Sequence, residues 1–368
     1  MDFVDEDTVQ ARLNLNLNED VGADGMNSDV FRASDVQLQR DVAVKAMPKR
    51  RFKGELKEYH EEARRLYMTR HPNIAEVLYG CISGNKILVV MPFYSNGSMS
   101  DVLNNQRLTM RKVVRYGLDV LVGLNRVHTK GLVHLDIKPS NILIDDADRA
   151  VLTDFGQASE LDDTGFAPAT PVYPWHITPD HLRQSGLTVQ TDIYQAGLTL
   201  YRMVNGEKWF KRQLQQIWGD GERQALHEAV ETGTFPDRHS FVPHVPKDIR
   251  YSISKALNPN PDKRWKSTLR FMNKLGEADR NLDWKWDGEV EKTMHFVSPT
   301  DKRERTITVS GDGRDWSVET SDLVYKSGNT LKRSIGCGKN MELEDALDFV
   351  QSFIKSEPVM YNGQIDKA

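Results

Sequence analysis

Two short segments carry the residues best suited to chemistry. The first is His134-Leu-Asp136-Ile-Lys138-Pro-Ser-Asn141, and the second, Asp154-Phe-Gly156, begins 13 residues after the asparagine. A carboxylate, a cation two residues later, an amide and a second carboxylate can orient a reacting group and neutralise charge without forming a covalent bond to it. Either segment alone would read as an ordinary turn. Together, with the strand-like Ile142-Leu-Ile144 and Ala150-Val-Leu152 between them, they mark a candidate site.

Both segments resemble protein-kinase signatures. In that family the loop aspartate positions the attacking hydroxyl or accepts its proton, and the asparagine and later aspartate hold the Mg²⁺ ions that bridge the ATP phosphates. The resemblance implies those roles for Asp136, Asn141 and Asp154, with Lys138 placed to touch the transferred phosphate as a point charge. It implies structural support, not base chemistry, for His134 and Phe155.

Upstream, Val42-Ala-Val-Lys45 is similar to the strand whose lysine grips the α- and β-phosphates. Glu62 looks like its helix partner, with Glu58 and Glu61 as competitors; it stands nine residues before His71-Pro-Asn-Ile74, which resembles the loop after that helix. Val30 resembles the valine that roofs the adenine, with Ala43 completing the roof and Met91 at the back of the pocket. Pro92-Phe93-Tyr94 resembles the hinge that meets the base. Pro92 has no N–H, so the hinge donor falls to Phe93 or Tyr94. The glycine-rich loop departs from the family: its three glycine positions are Ala23, Gly25 and Ser28, with an extra Gly22 alongside. A Cβ at either end restricts the backbone's approach to phosphate, so the expectation is weaker nucleotide binding or a shifted loop that uses Gly22.

Downstream, Thr170-Pro-Val-Tyr173 resembles the substrate-docking segment, Thr178-Pro-Asp180 resembles Ala-Pro-Glu, Asp192 the buried anchor of the catalytic loop, and Arg264 the partner of Asp180. Small-molecule kinases of the aminoglycoside and choline type usually lack the lysine and the Phe-Gly found here, so a protein substrate is implied. Lys138 further implies a Ser or Thr acceptor. The resemblance thus implies an ATP-dependent Ser/Thr protein kinase using Mg²⁺ or Mn²⁺ and able to phosphorylate itself. A second reading stays open: a kinase-like scaffold that binds nucleotide or a partner and transfers nothing. Leu135 stands where many family members carry the arginine that receives a loop phosphate. A phosphorylated Ser159, Thr164 or Thr170 would lack that partner, so activity is expected not to require loop phosphorylation.

The elements that must position these residues change character along the chain. Val30 to Ala46 alternates like paired strands with a turn near Asp35 to Arg40, and Ile82 to Met91 reads as two strands around Ser83-Gly-Asn-Lys86. An acidic helix fits Phe52 to Thr69, ended by Pro72. Helical spacing then dominates over Leu103 to Lys130, Asp192 to Asn205, Gln213 to Thr232 and Lys247 to Leu257. The fold expected is α+β: a bilobal kinase-like domain over residues 15–280, after an N-terminal segment 1–14, followed by a small α+β module over 284–360 and a tail 361–368. In that module Lys292 to Val297, Arg305 to Val309 and Asp315 to Glu319 alternate as strands, Ser310-Gly-Asp-Gly313 reads as a hairpin turn, and Leu343, Ala346, Leu347, Val350 and Ile354 mark a closing helix with Asn340 as a candidate N-cap. Trp284, Trp286 and Trp316 are candidates for its core or its seam with the kinase. Its expected role is substrate recruitment, regulation or assembly.

The chain has 368 residues, 39% hydrophobic and 28% charged, which excludes disordered and collagen-like classes. A net charge of −4 gives no electrostatic reason to expect nucleic acid. No apolar run approaches the roughly 20 residues of a membrane span, and the acidic start Met1-Asp-Phe-Val-Asp-Glu-Asp lacks a secretory signal, so a cytoplasmic location is expected. Cys81 and Cys337 are expected to be free thiols.

Overall fold

The computed structural model describes residues 13–21, 29–49, 67–183, 186–218, 223–289, 292–299, 303–313, 315–324, 330–331, 338–357, 360–361 and 364–365. The chain divides into two compact units between Asn96 and Gly97.

The first unit is an antiparallel sheet of β1 (Leu15–Asp20), β2 (Asp29–Asp35), β3 (Arg40–Pro48), β4 (Tyr79–Ser83) and β5 (Lys86–Pro92), in the order β1-β2-β3-β5-β4. The strand pairs expected at 30–46 and 82–91 are present, and β1 adds an edge strand the alternation did not disclose. Ala33, Val42, Val44 and Val90 form the core of one face. The β2–β3 turn is fixed by Asp35, whose Oδ1 accepts the Gln37 and Leu38 N–H groups while Tyr79 Oη donates to Oδ2 at 2.5 Å. These bonds hold the Asp35 carboxyl below its ordinary pKa. The acidic helix expected at Phe52 to Thr69 lies mostly outside the described residues; its end at Tyr67 and Met68 is helical.

The second unit is helical around the candidate site. Its helices are α1 (Met99–Asn105), α2 (Met110–His128), α3 (Pro179–Arg183), α4 (Val189–Asn205), α5 (Glu207–Trp218), α6 (Arg223–Thr232), α7 (Lys247–Ala256) and α8 (Thr268–Gly276), with the strand pairs β6 (Leu132–Val133) with β9 (Ser159–Glu160) and β7 (Ile142–Ile144) with β8 (Ala150–Leu152). The helix expected over Leu103 to Lys130 is two helices, because Gln106 is extended (φ −150°) and Thr109 restarts the helix as N-cap, accepting from Lys112 N. The stretch Gln213 to Thr232 also divides between two helices, α5 and α6, with residues 219–222 outside the described residues. Helix α4 is buried on every side from Thr191 to Asn205, the signature of a central helix. Gly117 and Gly197 let neighbours close on it: a Cβ at Gly117 would lie 2.7 Å from Leu200 Cδ2, and one at Gly197 2.7 Å from Ala256 Cβ.

The same unit contains a sheet ordered β10 (Lys285–Glu289), β11 (Thr293–Pro299), β12 (Arg303–Asp312), β13 (Asp315–Val324) and β14 (Thr330–Leu331), with β15 (Gly338–Met341) also on β13, and the covering helix α9 (Leu343–Ser356). A further strand pair joins β16 (Met360–Tyr361) to β17 (Gln364–Ile365). Period-two alternation buries Phe296, Ile307, Val309 and Val318, and α9 presents Ala346, Val350 and Ile354. The turn expected at Ser310 to Gly313 falls later: Ser310, Gly311 and Asp312 stay in β12, paired with Ser317, Trp316 and Asp315. Gly311 serves close approach, since a Cβ there would lie 2.3 Å from Asp315 O. Asn340 belongs to β15, and Glu342 is the residue before α9.

The three tryptophans divide between core and seam. Trp316 is buried in the sheet, its Nε1 donating to Gly313 O, whereas Trp286 Nε1 donates to Asn205 O at the end of α4. Beside Trp286 lie the Trp209 ring at 6.5 Å and the Arg107 guanidinium at 5.0 Å. Met110 N donates to Trp284 O, and Arg111 forms a paired ion contact with Asp283 at 2.6 and 2.9 Å. No helix among the described residues is long and apolar enough to cross a membrane.

His244 lies in the same seam, its ring 5.8 Å from Phe296, buried and with neither ring nitrogen hydrogen-bonded among the described residues. Burial, with repulsion from Arg250, pushes its pKa down to about 3 from an ordinary 6.5. The unfolded chain therefore takes up a proton near pH 6.5 that the native state refuses until about 3, so stability is present above that window and falls through it, by up to about 1.4 kcal/mol per pH unit. His244→Leu is expected to flatten the fall of the urea midpoint between about pH 6 and 4; an unchanged slope would refute this assignment.

Candidate active site

Three of the candidate residues, Asp136, Lys138 and Asn141, meet in one hydrogen-bonded group. A three-residue helical turn, Pro139–Asn141, carries Asn141 back toward Asp136. Asn141 Nδ2 donates to Asp136 O at 2.9 Å and to Asp136 Oδ2 at 2.8 Å, and Lys138 Nζ donates to the same Oδ2 at 2.8 Å. Both donors use Oδ2, and among the described residues Oδ1 accepts no hydrogen bond. The Lys138 ammonium also stands 5.4 Å from the centre of the Tyr173 ring.

Asp154 is held beside this group by backbone: Thr153 N donates to Asn141 O at 3.0 Å. Asp154 is in the left-handed region (φ 64°), and its Oδ1 accepts Gly156 N at 3.3 Å. His134 and Phe155 pack edge to face with ring centres 4.7 Å apart. His134 Nε2 meets Thr153 O at 3.2 Å and Nδ1 accepts Asp136 N at 3.3 Å, so one tautomer with its hydrogen on Nε2 satisfies both.

Helix α4 holds the loop from behind. Asp192 Oδ2 accepts His134 N and Oδ1 accepts Leu135 N, both at 2.8 Å, while His128 Nε2 lies 2.8 Å from Oδ2. Two consecutive N–H groups on one carboxylate fix Leu135 at φ 63°, a conformation that costs an ordinary residue about 1–3 kcal/mol. Gln195 accepts Ile137 N and donates to Leu135 O, and Thr199 donates to Ile137 O at 3.4 Å. Gln195 and Thr199 escaped the sequence reading, although polar residues at 192, 195 and 199 in a largely apolar helix repeat at i, i+3 and i+7 and were the available signal. Leu135 joins Val133, Ala167 and Leu187 in a buried apolar cluster with Leu161 and Val189 against it. Arg264 is buried with Nη1 2.8 Å from Asp180 Oδ2; the N–H itself points to Gln190 O, so the contact with Asp180 is an ion pair. A second buried set, also missed, joins Arg202 to Glu207 at 2.7 and 2.8 Å and to His176 at 2.6 Å. Burial and the Arg202 charge hold His176 well below an ordinary histidine pKa.

In the first unit, strand register sorts the other candidates. Val30 pairs with Lys45 across β2 and β3, and Ala43 pairs with Met91 across β3 and β5. Directly opposed residues share a face, so Val30, Ala43, Lys45 and Met91 line the face opposite the Val42 and Val44 core. Lys45 is 5% exposed. Phe93, under the Arg32 guanidinium at 4.8 Å, and Tyr94 follow β5 directly. Gly22, Gly25, Glu62 and the competitors Glu58 and Glu61 lie outside the described residues.

The donor types of Asn141 and Asp154, an amide oxygen and a carboxylate on segments joined by the Thr153 N to Asn141 O bond, fit Mg²⁺, which binds through one or two protein oxygens plus substrate phosphates. Among the described residues no cluster of three His, Cys, Asp or Glu side chains offers a protein-only metal cage.

Residues 15–274 match the protein kinase domain family, and the chain belongs to that family. It is 29% identical over 269 residues to the serine/threonine-protein kinase PknK of Mycobacterium bovis, covering 71% of this chain and 23% of that protein. It is 26% identical over 267 residues to a probable serine/threonine-protein kinase of Clostridium perfringens (71% of this chain, 38% of the relative), and 30% identical over 262 residues to PknA of Mycobacterium tuberculosis (67% and 57%). The chain spans less than two thirds of the length of each of these relatives.

Proposed function

We propose that this chain transfers the γ-phosphate of ATP to a Ser or Thr hydroxyl of a protein, in the cytoplasm. The observation that carries this reading is the Asp136–Lys138–Asn141 group, with both donors on one carboxylate oxygen and the other left open. Asp136 Oδ1 orients the acceptor hydroxyl and takes its proton as the Oγ–P bond forms and the bond from Pγ to the bridging oxygen breaks. Lys138 neutralises charge on the transferred group. Lys45, positioned by Glu62, holds the ATP phosphates. Gly22 and Gly25 cradle them, Val30, Ala43 and Met91 enclose the base, and Phe93 or Tyr94 supplies its hydrogen bond. Asn141 and Asp154 would hold Mg²⁺, or Mn²⁺ in its place, which supplies charge neutralisation between the β- and γ-phosphates. The domain division proposed is a catalytic part over 15–280 and a recruiting module over 284–360. The free, half-buried Cys81 thiol suits a reducing compartment.

The deciding experiment is labelled γ-phosphate transfer from ATP and Mg²⁺ to the chain itself and to a basic protein, with the acceptor residue identified after hydrolysis. Label on serine or threonine is expected; absence of label with nucleotide still protecting the fold against heat would give the scaffold reading.

Regulation follows from Leu135. Supporting this reading, the segment after Asp154 packs on Leu135 through the apolar cluster with Ala167 and Leu187 and the Ala167–Leu187 backbone bridge. Ser159→Ala with Thr164→Ala is expected to keep turnover on an external substrate within about threefold, because Leu135 stands where a phosphate-receiving arginine would. Thr170 is left intact in this test because its Oγ1 is buried. Loss of turnover in a correctly folded variant would overturn the expectation.

A further inference from the structure

A cleft of about 310 Å³ lies between α9 and the wall formed by Trp209, Phe241 and Pro243, away from the residues that hold Asp136. From α9, Leu347 gives an apolar contact, and Glu344 and Asp348, one turn apart, place two carboxylates on the same face. Both are exposed, and neither makes a hydrogen bond or ion pair among the described residues. The guanidinium in the wall, Arg250, donates to the carbonyls of Val245, Pro243 and Val242, and its charge also acts on Asp348. His239 also borders the cleft. An aromatic and apolar wall facing two exposed carboxylates, one of them (Asp348) already under the Arg250 charge, suits long cationic side chains, whose methylenes cover apolar surface while their heads stay charged.

We propose that this cleft docks a Lys- or Arg-bearing extended segment of the protein substrate, so that the C-terminal sheet and helix select substrates for the kinase. The proposal rests on the protein-substrate reading above. It concerns affinity for substrate, apart from the chemical step.

The test is anisotropy of a fluorescein-labelled octapeptide of lysine, arginine and leucine, without any hydroxyl acceptor, titrated with the full chain at low salt. The paired change Glu344→Lys and Asp348→Lys is expected to weaken binding about tenfold, with the difference shrinking as salt rises. Asp345→Lys, on another face of α9, is expected to change it less than about twofold. The paired change should also raise KM for a protein carrying such a segment and leave kcat unchanged. Equal weakening by Asp345→Lys, or none by the paired change, overturns the proposal. Self-association of the wild type in sedimentation that the paired change abolishes would assign the cleft to a second copy and also overturn it. If the peptide binds as expected but nothing is phosphorylated, the docking cleft stands and the catalytic reading falls.

Discussion

Asp136→Asn is expected to lower kcat for phosphate transfer by about 10²–10⁴-fold while leaving the fold and nucleotide binding in place. The substitution keeps the side chain's shape. It also keeps the bond from Asn141 Nδ2 to the Asp136 backbone oxygen, so the loop retains that anchor together with the two Asp192 bonds to His134 and Leu135. What disappears is the charge that binds Lys138 and the basic oxygen, Oδ1, that can accept a proton. Single-turnover transfer of labelled phosphate separates this from a binding defect, and circular dichroism with a nucleotide-dependent thermal shift checks the fold. A kcat within about threefold of wild type would remove Asp136 from the role of base.

Trp286→Ala is expected to be the most destabilising single change in the seam, by about 3–5 kcal/mol. Trp286 is 1% exposed, and its loss opens space between Trp209 and Arg107. It also takes away the Nε1 donor at Asn205 O, leaving the last carbonyl of α4 unpaired; a buried acceptor left unpaired costs about 1–3 kcal/mol. Because α4 also carries Asp192, Gln195 and Thr199, loosening its end should reach the catalytic loop. The measurement is urea unfolding followed by circular dichroism, with kcat read in parallel. Trp286→Phe, which retains most of the apolar area and lacks the N–H, should fall between wild type and alanine. A midpoint unmoved by Trp286→Ala would mean that the C-terminal sheet is an appendage and adds nothing to the lobe it covers.

The sequence by itself determined the group formed by Asp136, Lys138 and Asn141. Asp136, Lys138 and Asn141 lie within six residues, and the turn that gathers them is set by Pro139 and local backbone geometry, so spacing along the chain is nearly spacing in the molecule. That Ala43 and Lys45 share a face was legible for the same reason, because alternation along a strand is local, whereas Val30 joins them only through the β2–β3 register. Helix and strand ends were less legible: the break at Gln106 is a matter of one extended residue and a threonine cap, inside a stretch whose apolar spacing runs on through it. Only the tertiary structure decided how the loop is held. Gln195 and Thr199 reach residues 58 to 62 positions away, and nothing local in α4 says which segment its polar stripe will meet. The same holds for Trp286, whose partner at Asn205 is 81 residues distant. Such pairings are settled by the burial of whole apolar faces against one another, a sum over segments far apart in the chain, whereas the chemistry of the site is written in neighbours.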